Sequence, residues 1–536
     1  MKSALCVITA VKKNVAFPDD LIKRLGEKSL IQLTIDKAIS LRISDILVLT
    51  DSQEIIQIAK FNGLDYVYDS KIDLETSDFT TNLKNHISRE YDVVLFLSPY
   101  TPLVLPNEIS SALSEFATMN GFDALVSVRE ESYFDFTFSW SNLKRFLSDR
   151  KPKSRLIEVS AFKIVRMEAL QRSSMATLKC FPYLLSTNTL EIKSHQDWWV
   201  CEKLLRRKRI VFRIIGDSKI GMGHVYRSLA IAHSISDHEV IFVTSEKCEE
   251  AIKTITSKDY DIYSYPELQI AHNIIHQLQP DLVINDILST DFEYVNELKK
   301  SGIRVLNFED LGPGAEIADM VVNELFEPPP NKPSQNTRWG YQFYFLRNEF
   351  EFVSPNIFKE QVGSILLTFG GSDPNNLTCL VLKALTKIKE ISHIDISVII
   401  GPSFKWKSEL DRLVGSLGLN ARVDIFENVS TISEQMANSD IAICSNGRTT
   451  FELAYMNIPS IVICQNIREE THNSMISTGG FINLGLYGND TENRLISNLL
   501  RLVRDTKYRK SKFESLKELN FEGNLSRVTS LIEGLL

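Results

Sequence analysis

Small residues, hydroxyls and one titratable ring recur in this chain at spacings that suit a bound diphosphate. The first group lies in VFRIIGDSKIGMGHVYRSLAIAHSI, which reads as a strand, a glycine-bearing loop and a helix. Gly221 and Gly223 let the backbone turn tightly and approach a ligand. A helix starting near His224 would offer free N–H groups and the positive end of its dipole to an anion. His224 falls at the loop–helix junction, outside the apolar stripe of Leu229, Ala230 and Ile231. An imidazole there is a titratable base, and Arg227, three residues on, adds a cation at the same corner. The plainer alternative is a tight turn with a helix-capping histidine.

The second group is SILLTFGGSDPNNLTCLVLKAL. A buried strand runs into Gly370, Gly371, Ser372 and Asp373, and a helix begins near Asn376. Open parallel sheets hold ligands at this end of their strands, although Ser372 and Asp373 are also ordinary helix caps. The third group is DIAICSNGRTTFELAYMNIPSIVI. Its strand ends at Ser445, Asn446 and Gly447 turn the chain, and Thr449 and Thr450 open a helix carrying Glu452. Small residues and hydroxyls suit phosphate oxygens, and Glu452 could reach ribose hydroxyls. The alternative for Glu452 is a first-turn acid stabilised by the helix dipole.

Such corners need parallel strands behind them, and the chain supplies the pattern. Short β-branched runs alternate with amphipathic stretches, which predicts parallel α/β architecture. The runs are ALCVIT, DILVLTD, DVVLFLS, DALVSV, VFRII, EVIFVT, LVIND, RVLNF, SILLTFG, DISVII, IAICS and SIVIC, with helical patterns such as SLIQLTIDKAISL between them. The basic segment LLRRKRIVFRIIGD marks a break near Arg209, and the proline-rich FEPPPNKPSQ suggests an extended crossing between lobes. We therefore expect a domain over 1–208, a lobe over 209–350 and a second lobe over 351–536, with the last helical stretch packing back across the lobes.

At 536 residues the chain exceeds one hydrophobic core. A formal charge of −8 opposes a general nucleic-acid binder, which needs a basic face, but not a nucleotide. No run is long enough to span a bilayer, and the N-terminal run reads as a first buried strand rather than a signal peptide, so a cytoplasmic location is expected. The seven cysteines are scattered without metal spacing, and no metal site is expected from them.

Taken together, VFRIIGDSKIGMGHVYRSLAIA, VLNFEDLG, ADMVVNELF, YFLRNEF, LLTFGGSDPNNLT and ICSNGRTTFELAYMNIPSIVI fall in the order and spacing of the PseG/SpsG family, over about residues 209–490. This family resembles the MurG-type glycosyltransferases in fold. The resemblance implies a GT-B-like pair of Rossmann-type lobes with a UDP-linked diacetamido-trideoxyhexose in the cleft between them. It implies that His224 is the general base for water attacking the anomeric carbon, with Asp286 retained as the acid after the fourth strand. The Gly370–Ser372 turn and the Ser445–Thr450 corner would hold the diphosphate, and Glu452 the ribose. No cofactor is required for this hydrolysis. The family carries a tyrosine shortly after that acid, where this chain has Ile287 and Leu288.

Residues 1 to about 205 resemble the CMP-sugar (acylneuraminate-type) cytidylyltransferases, through LGEKSLIQLTIDKAI, ILVLTDSQEIIQIAKFNGLDYV, VVLFLSPYTPL and FDALVSV. A Rossmann-like nucleotidyltransferase domain is implied. The positions that would carry its chemistry differ. The family's glycine- and cation-rich first loop is TAVKKNVAFPDDL here, with Asp19 and Asp20 where cations are expected and Lys12 and Lys13 as partial substitutes. The family's glutamine and arginine are missing from Ser98–Val104, and its magnesium-binding Asp-x-Asp becomes Glu191-Ile192-Lys193. A lysine at a metal-ligand position opposes a divalent cation, so Mg2+ is expected only if this domain is active. The reading is a retained fold that has lost cytidylyl transfer and serves as a homodimerisation or partner-docking module; a bifunctional enzyme is the alternative.

For the later lobes, hydrolysis of a UDP-sugar competes with glycosyl transfer in the same cleft and with a non-enzymatic nucleotide-sugar-binding scaffold. His195, His233 and His238 read as structural, and Trp198 and Trp199 as packing or dimer-face residues.

Overall fold

The apolar runs fold as strands of three large α/β sheets in a computed structural model that describes residues 3–14, 16–74, 83, 87, 90–133, 137–139, 142–144, 153–172, 177–185, 189–217, 221–329, 335–416, 422–429 and 431–536. Met1–Arg207 and Lys208–Leu536 form two compact units.

The first unit holds β1 (Ala4–Thr9), β2 (Asp45–Thr50), β3 (Asp65–Tyr68), β4 (Val93–Leu97), β5 (Ala124–Tyr133), β6 (Lys153–Arg166) and β7 (Cys180–Leu184), in spatial order β7-β5-β6-β4-β1-β2-β3. Only β6 runs antiparallel to its neighbours. Helix α1 (Leu30–Ser40) starts where the Ser29 hydroxyl accepts the Gln32 N–H, and it buries Leu30, Ile31, Thr34, Ile35 and Ala38 against the sheet, the spacing of one helical face. In α2 (His195–Leu205), capped by Ser194, Trp198 enters the core while Trp199 is exposed. His195 stacks on Phe17 with ring centroids 4.0 Å apart, a packing role.

The second unit has two sheets. The first lobe contains β8 (Arg209–Ile214), β9 (Glu239–Ser245), β10 (Asp261–Tyr265), β11 (Leu282–Asp286), β12 (Arg304–Phe308), β13 (Met320–Asn323) and β14 (Thr337–Trp339), all parallel in order β10-β9-β8-β11-β12-β13-β14. The second contains β15 (Ser364–Thr368), β16 (Asp395–Ile400), β17 (Val423–Glu427), β18 (Ile441–Cys444), β19 (Ser460–Cys464) and β20 (Phe481–Leu486), parallel in order β17-β16-β15-β18-β19-β20. Central strands such as β11 and β19 are buried along their whole length, which is why they read as continuous apolar runs. Helix α3 (Gly223–Ser234) follows β8, α4 (Leu377–Leu385) follows β15 and α5 (Thr449–Tyr455) follows β18.

Packing redraws the lobes expected over 209–350 and 351–536. Leu325, Phe326, Tyr344 and Phe350, which precede the expected boundary, pack in one cluster with Phe451, Leu453 and Met436 of the second lobe. Conversely, Val528 and Ile532 of the last helix, α6 (Asn524–Glu533), are buried in the first lobe's core beside Ile210, Val225 and Ile235. Large apolar side chains settle where a core will bury them, and both crossings carry such residues to the opposite lobe. His238 fixes α6 further, with Nδ1 accepting the Lys208 N–H and Nε2 3.2 Å from Glu533. His233 stacks on Tyr260. The proline-rich crossing lies in part, at 330–334, outside the described residues.

Candidate functional site

Segments at the ends of β8, β15, β16 and β18 line one cleft of about 770 Å³ in the second unit, and the ends of β11, β12 and β13 reach it through Arg227. The cleft lining includes Gly221, Gly223, Arg227, Gly370, Gly371, Ser372, Arg448, Thr449 and Glu452.

The histidine loop is drawn tight by its glycines. Gly221 has φ +92 and donates its N–H to the Asp217 carbonyl at 2.8 Å; a side chain there would be strained. Gly216, which the spacing argument passed over, matters as much. A Cβ at that position would lie 2.4 Å from Val225 Cγ2, so the strand could not approach α3 closely with any other residue. His224 lands in the first turn of α3 and is buried. Its Nδ1 is 2.5 Å from Asp286 Oδ1 at the end of β11. With Nδ1–H assigned to that carboxylate, Nε2 is left as the basic nitrogen, and it has no partner among the described residues.

Arg227 does not meet the expectation of a phosphate-facing cation. Its side chain is fully enclosed. It donates to Asp286 at 2.8 and 2.5 Å, to Glu309 at 2.5 Å and to Glu324 at 2.7 Å. Four of the five N–H groups of this buried guanidinium go to three carboxylates, and the remaining one lies beside His224 Nδ1, with Nη2 3.3 Å away. One-dimensional spacing cannot reveal partners that come from three later segments. The arginine orders the dyad instead. Burial alone would raise the Asp286 carboxyl, but the charges of Arg227 and His224 and their hydrogen bonds overturn that and hold it well below the usual carboxylate range. Glu309, with φ +51, turns its side chain back into the cluster. Burial opposes its ionisation, and Arg227, His224 and Arg448 together hold it low. Glu324 is fully enclosed with one oxygen unpartnered, and burial pushes its carboxyl up.

The second corner divides. Gly370, with φ +78, and Gly371 face open space, as a Cβ on either would touch nothing within 4 Å. Ser372 lines the cleft with them. Asp373 does not. It is buried, with its carboxylate accepting the Leu377 and Thr378 N–H groups at 2.9 and 2.8 Å and the Gln465 side-chain amide at 2.9 Å. The helix-cap alternative holds there.

The third corner also turns inward. Asn446 Nδ2 donates to the Glu469 and His472 carbonyls at 2.7 and 2.8 Å, and the Thr450 hydroxyl donates to the Gly447 carbonyl at 2.7 Å. Ser445 is buried. The turn at Asn446 and Gly447 brings Arg448, Thr449 and Glu452 to the cleft. One Glu452 oxygen accepts from Arg347 Nε at 2.8 Å. Sequence reasoning missed Arg448, whose guanidinium pairs with Glu324. It also missed the segment Gln465–His472. There Glu469 accepts the Gln465 and Asn446 N–H groups at 2.8 and 3.2 Å, and Arg468 reaches the Glu309 carbonyl at 2.6 Å. The available signal was a run of charged residues directly after the buried strand SIVIC.

In the first unit the loop after β1 is satisfied internally. The Lys12 and Lys13 N–H groups donate to Asp51 at 2.6 and 3.1 Å, and Lys12 Nζ pairs with Asp19 and Glu54. Lys13 Nζ donates to the Ser70 carbonyl. Asp20 is buried, accepting the Ala16 N–H at 2.8 Å and the Tyr100 hydroxyl at 3.1 Å. Lys193 pairs with Glu191 at 2.8 Å. A lysine that neutralises the one carboxylate of the pair does not fit a divalent cation.

Residues 365–523 match the glycosyltransferase family 28 C-terminal domain. An uncharacterised protein of Methanocaldococcus jannaschii is 30% identical over 266 residues, 47% of this chain and 54% of that protein, so the match spans about half of that relative's length. The spore coat polysaccharide biosynthesis protein SpsG of Bacillus subtilis is 23% identical over 331 residues, 60% of this chain and 96% of its own. The UDP-2,4-diacetamido-2,4,6-trideoxy-beta-L-altropyranose hydrolase of Campylobacter jejuni is 24% identical over 280 residues, 51% of this chain and 97% of its own. Among the described residues no helix is long and apolar enough to cross a membrane.

Proposed function

We propose that the second unit hydrolyses a UDP-linked 2,4-diacetamido-2,4,6-trideoxyhexose, in the biosynthesis of a nonulosonic acid or another surface glycan. The observation that carries this reading is the buried His224–Asp286 pair, held by Arg227 beside a two-lobed cleft lined by glycine turns. The likeness to the Campylobacter hydrolase supports the choice of substrate class.

In this reading His224 Nε2 takes a proton from water, and the water oxygen bonds to the anomeric carbon. The bond from that carbon to the β-phosphate oxygen breaks, and UDP leaves with the electron pair. Asp286 keeps the imidazole in the tautomer that accepts at Nε2 and stabilises the imidazolium that forms. The backbone around Gly370–Ser372 faces the diphosphate, with charge met by preorganised N–H groups rather than mobile water, and Glu452 faces the ribose. No cofactor takes part. Replacing His224 by Ala is expected to keep UDP affinity while lowering turnover about 10²–10⁴-fold, the usual worth of general-base catalysis. Calorimetry with UDP and a UDP-release assay read the two quantities separately. Normal turnover in that variant would overturn the assignment.

The family 28 match favours one further reading, glycosyl transfer to a sugar hydroxyl in place of water. Product formation that depends on an added acceptor distinguishes it.

For the first unit we propose a cytidylyltransferase-like fold without cytidylyl transfer, serving in homodimerisation. Asp51 accepts the backbone N–H groups of the loop where a phosphate would need them, and the Glu191–Lys193 pair offers Mg2+ no site.

A further inference from the structure

Arg448 links the two lobes at the floor of the cleft. Its guanidinium pairs with Glu324, lies 3.7 Å from Glu309 and rests 4.7 Å from the centre of the Tyr344 ring. That ring is stacked on Phe451 at 4.0 Å. The arginine stem crosses the histidine loop, since a Cβ built on Gly223 would stand 3.0 Å from Arg448 Cδ. The bare Gly223 backbone therefore holds the stem, Tyr344 supports the guanidinium from one face, and a change of partner needs only the charged end to move.

Among the described residues, the cations lining the cleft are Arg227, Arg347 and Arg448. Arg227 is enclosed. Arg347 holds Glu452 at 2.8 Å and Glu349 at 3.0 Å, and its departure would strip both of a counter-charge. Arg448 differs on both counts. Its side chain is 23% exposed while that of Glu324 is 0%. Both its carboxylates, Glu309 and Glu324, also accept from Arg227, so neither is left unpaired if Arg448 moves. A guanidinium binds phosphate oxygens through two parallel hydrogen bonds, which a carboxylate engaged at one nitrogen does not match.

We propose that Arg448 exchanges Glu324 for the diphosphate of the ligand when the cleft fills, and that Glu324 restrains it until then; this rests on the reading of the cleft as a UDP-sugar site. Glu324 thus acts as an internal competitor that sets nucleotide affinity, and Arg448 supplies the preference for a diphosphate over a monophosphate.

The test is a double-mutant cycle on the full chain, with UDP and UMP binding measured by calorimetry. Glu324→Gln keeps the shape and releases Arg448, and UDP is expected to bind about tenfold more tightly. Arg448→Met keeps an unbranched stem beside Gly223 and is expected to weaken UDP about tenfold and erode its preference over UMP. In the Arg448→Met background, Glu324→Gln is expected to change nothing. If Glu324→Gln tightens UDP equally with Met at 448, the general field of the lost charge explains the gain and the exchange is wrong. An unaltered UDP-to-UMP preference in Arg448→Met also overturns it, while wild-type UDP binding keeps the reading of the cleft intact. Wild type that binds neither nucleotide overturns both. Arg448→Lys, which retains charge with a shorter reach, should fall between wild type and Arg448→Met, and it carries the test should the methionine variant not fold.

Discussion

At the scale of single residues, the site is a chain of charges rather than a lone histidine. Asp286 sits between His224 and Arg227, and its carboxyl is depressed by those two neighbours against the pull of burial. A carboxyl with a lowered folded-state value contributes stability above its unfolded value, near pH 4. That contribution drains away as pH falls from there toward the folded value. Asp286→Asn is therefore expected to lose about 3–5 kcal/mol near neutral pH, the cost of leaving a buried partner unmatched. It should also show a shallower fall in urea stability than wild type between about pH 5 and pH 3. Equal slopes for the two proteins would show that the pair does not contribute as described. His224 could be singled out in the sequence because a loop–helix junction is a local feature, whereas Asp286 came only from the family resemblance, and the structure brings the two side chains together. The role of Arg227 was not legible, because its three carboxylates come from β11 and from the turns after β12 and β13.

At the scale of elements, central strands such as β11 and β19 could be read from sequence because both faces are buried and the apolar run is unbroken, whereas β6 and β13, also interior, were not among the runs picked out. The edge strands β3, β7 and β10 were invisible for the converse reason: their exposed positions interrupt the pattern. Turns were half legible. Glycine marks where a chain bends, but not whether the bend faces a ligand or a neighbouring helix. Gly370 and Gly371 face space, whereas Gly216 faces Val225 and a Cβ on Gly401 would lie 2.4 Å from Gly371 Cα. Gly216→Ala is accordingly expected to destabilise the protein by about 1–3 kcal/mol through overpacking. Adding Val225→Ala should restore part of that, since the clash is with a side-chain methyl. Urea denaturation of the two variants measures the recovery. A double variant less stable than the sum of the single changes would argue against this contact.

At the scale of the whole molecule, two units of unlike chemical standing share one chain. The first keeps the strands, caps and core of a Rossmann-like sheet, while its loop donors and cations are taken up by its own carboxylates. The full chain with His224→Ala, given CTP, Mg2+ and a nonulosonic acid, is expected to release no pyrophosphate. Robust release in a coupled assay would mean that the loop opens for nucleotide and that the protein is bifunctional. The order of domains was legible because composition shifts near Arg209, whereas the ownership of segments was not. Which core receives Phe350 or Val528 depends on three-dimensional vacancies that no local pattern records.

The placement of α6 bears on how the protein is made. Val528 and Ile532 complete a core whose strands, β8 to β14, leave the ribosome well before them. At about 5–20 residues per second, the first lobe waits on the order of ten seconds or more for its last wall while the second lobe is translated. During that interval the apolar surface around Ile210 and Ile235 is uncovered, which makes the nascent chain a natural client for chaperones. A chain cut before Asn524 would lack the two side chains, Val528 and Ile532, that pack into the core beside Ile210 and Ile235.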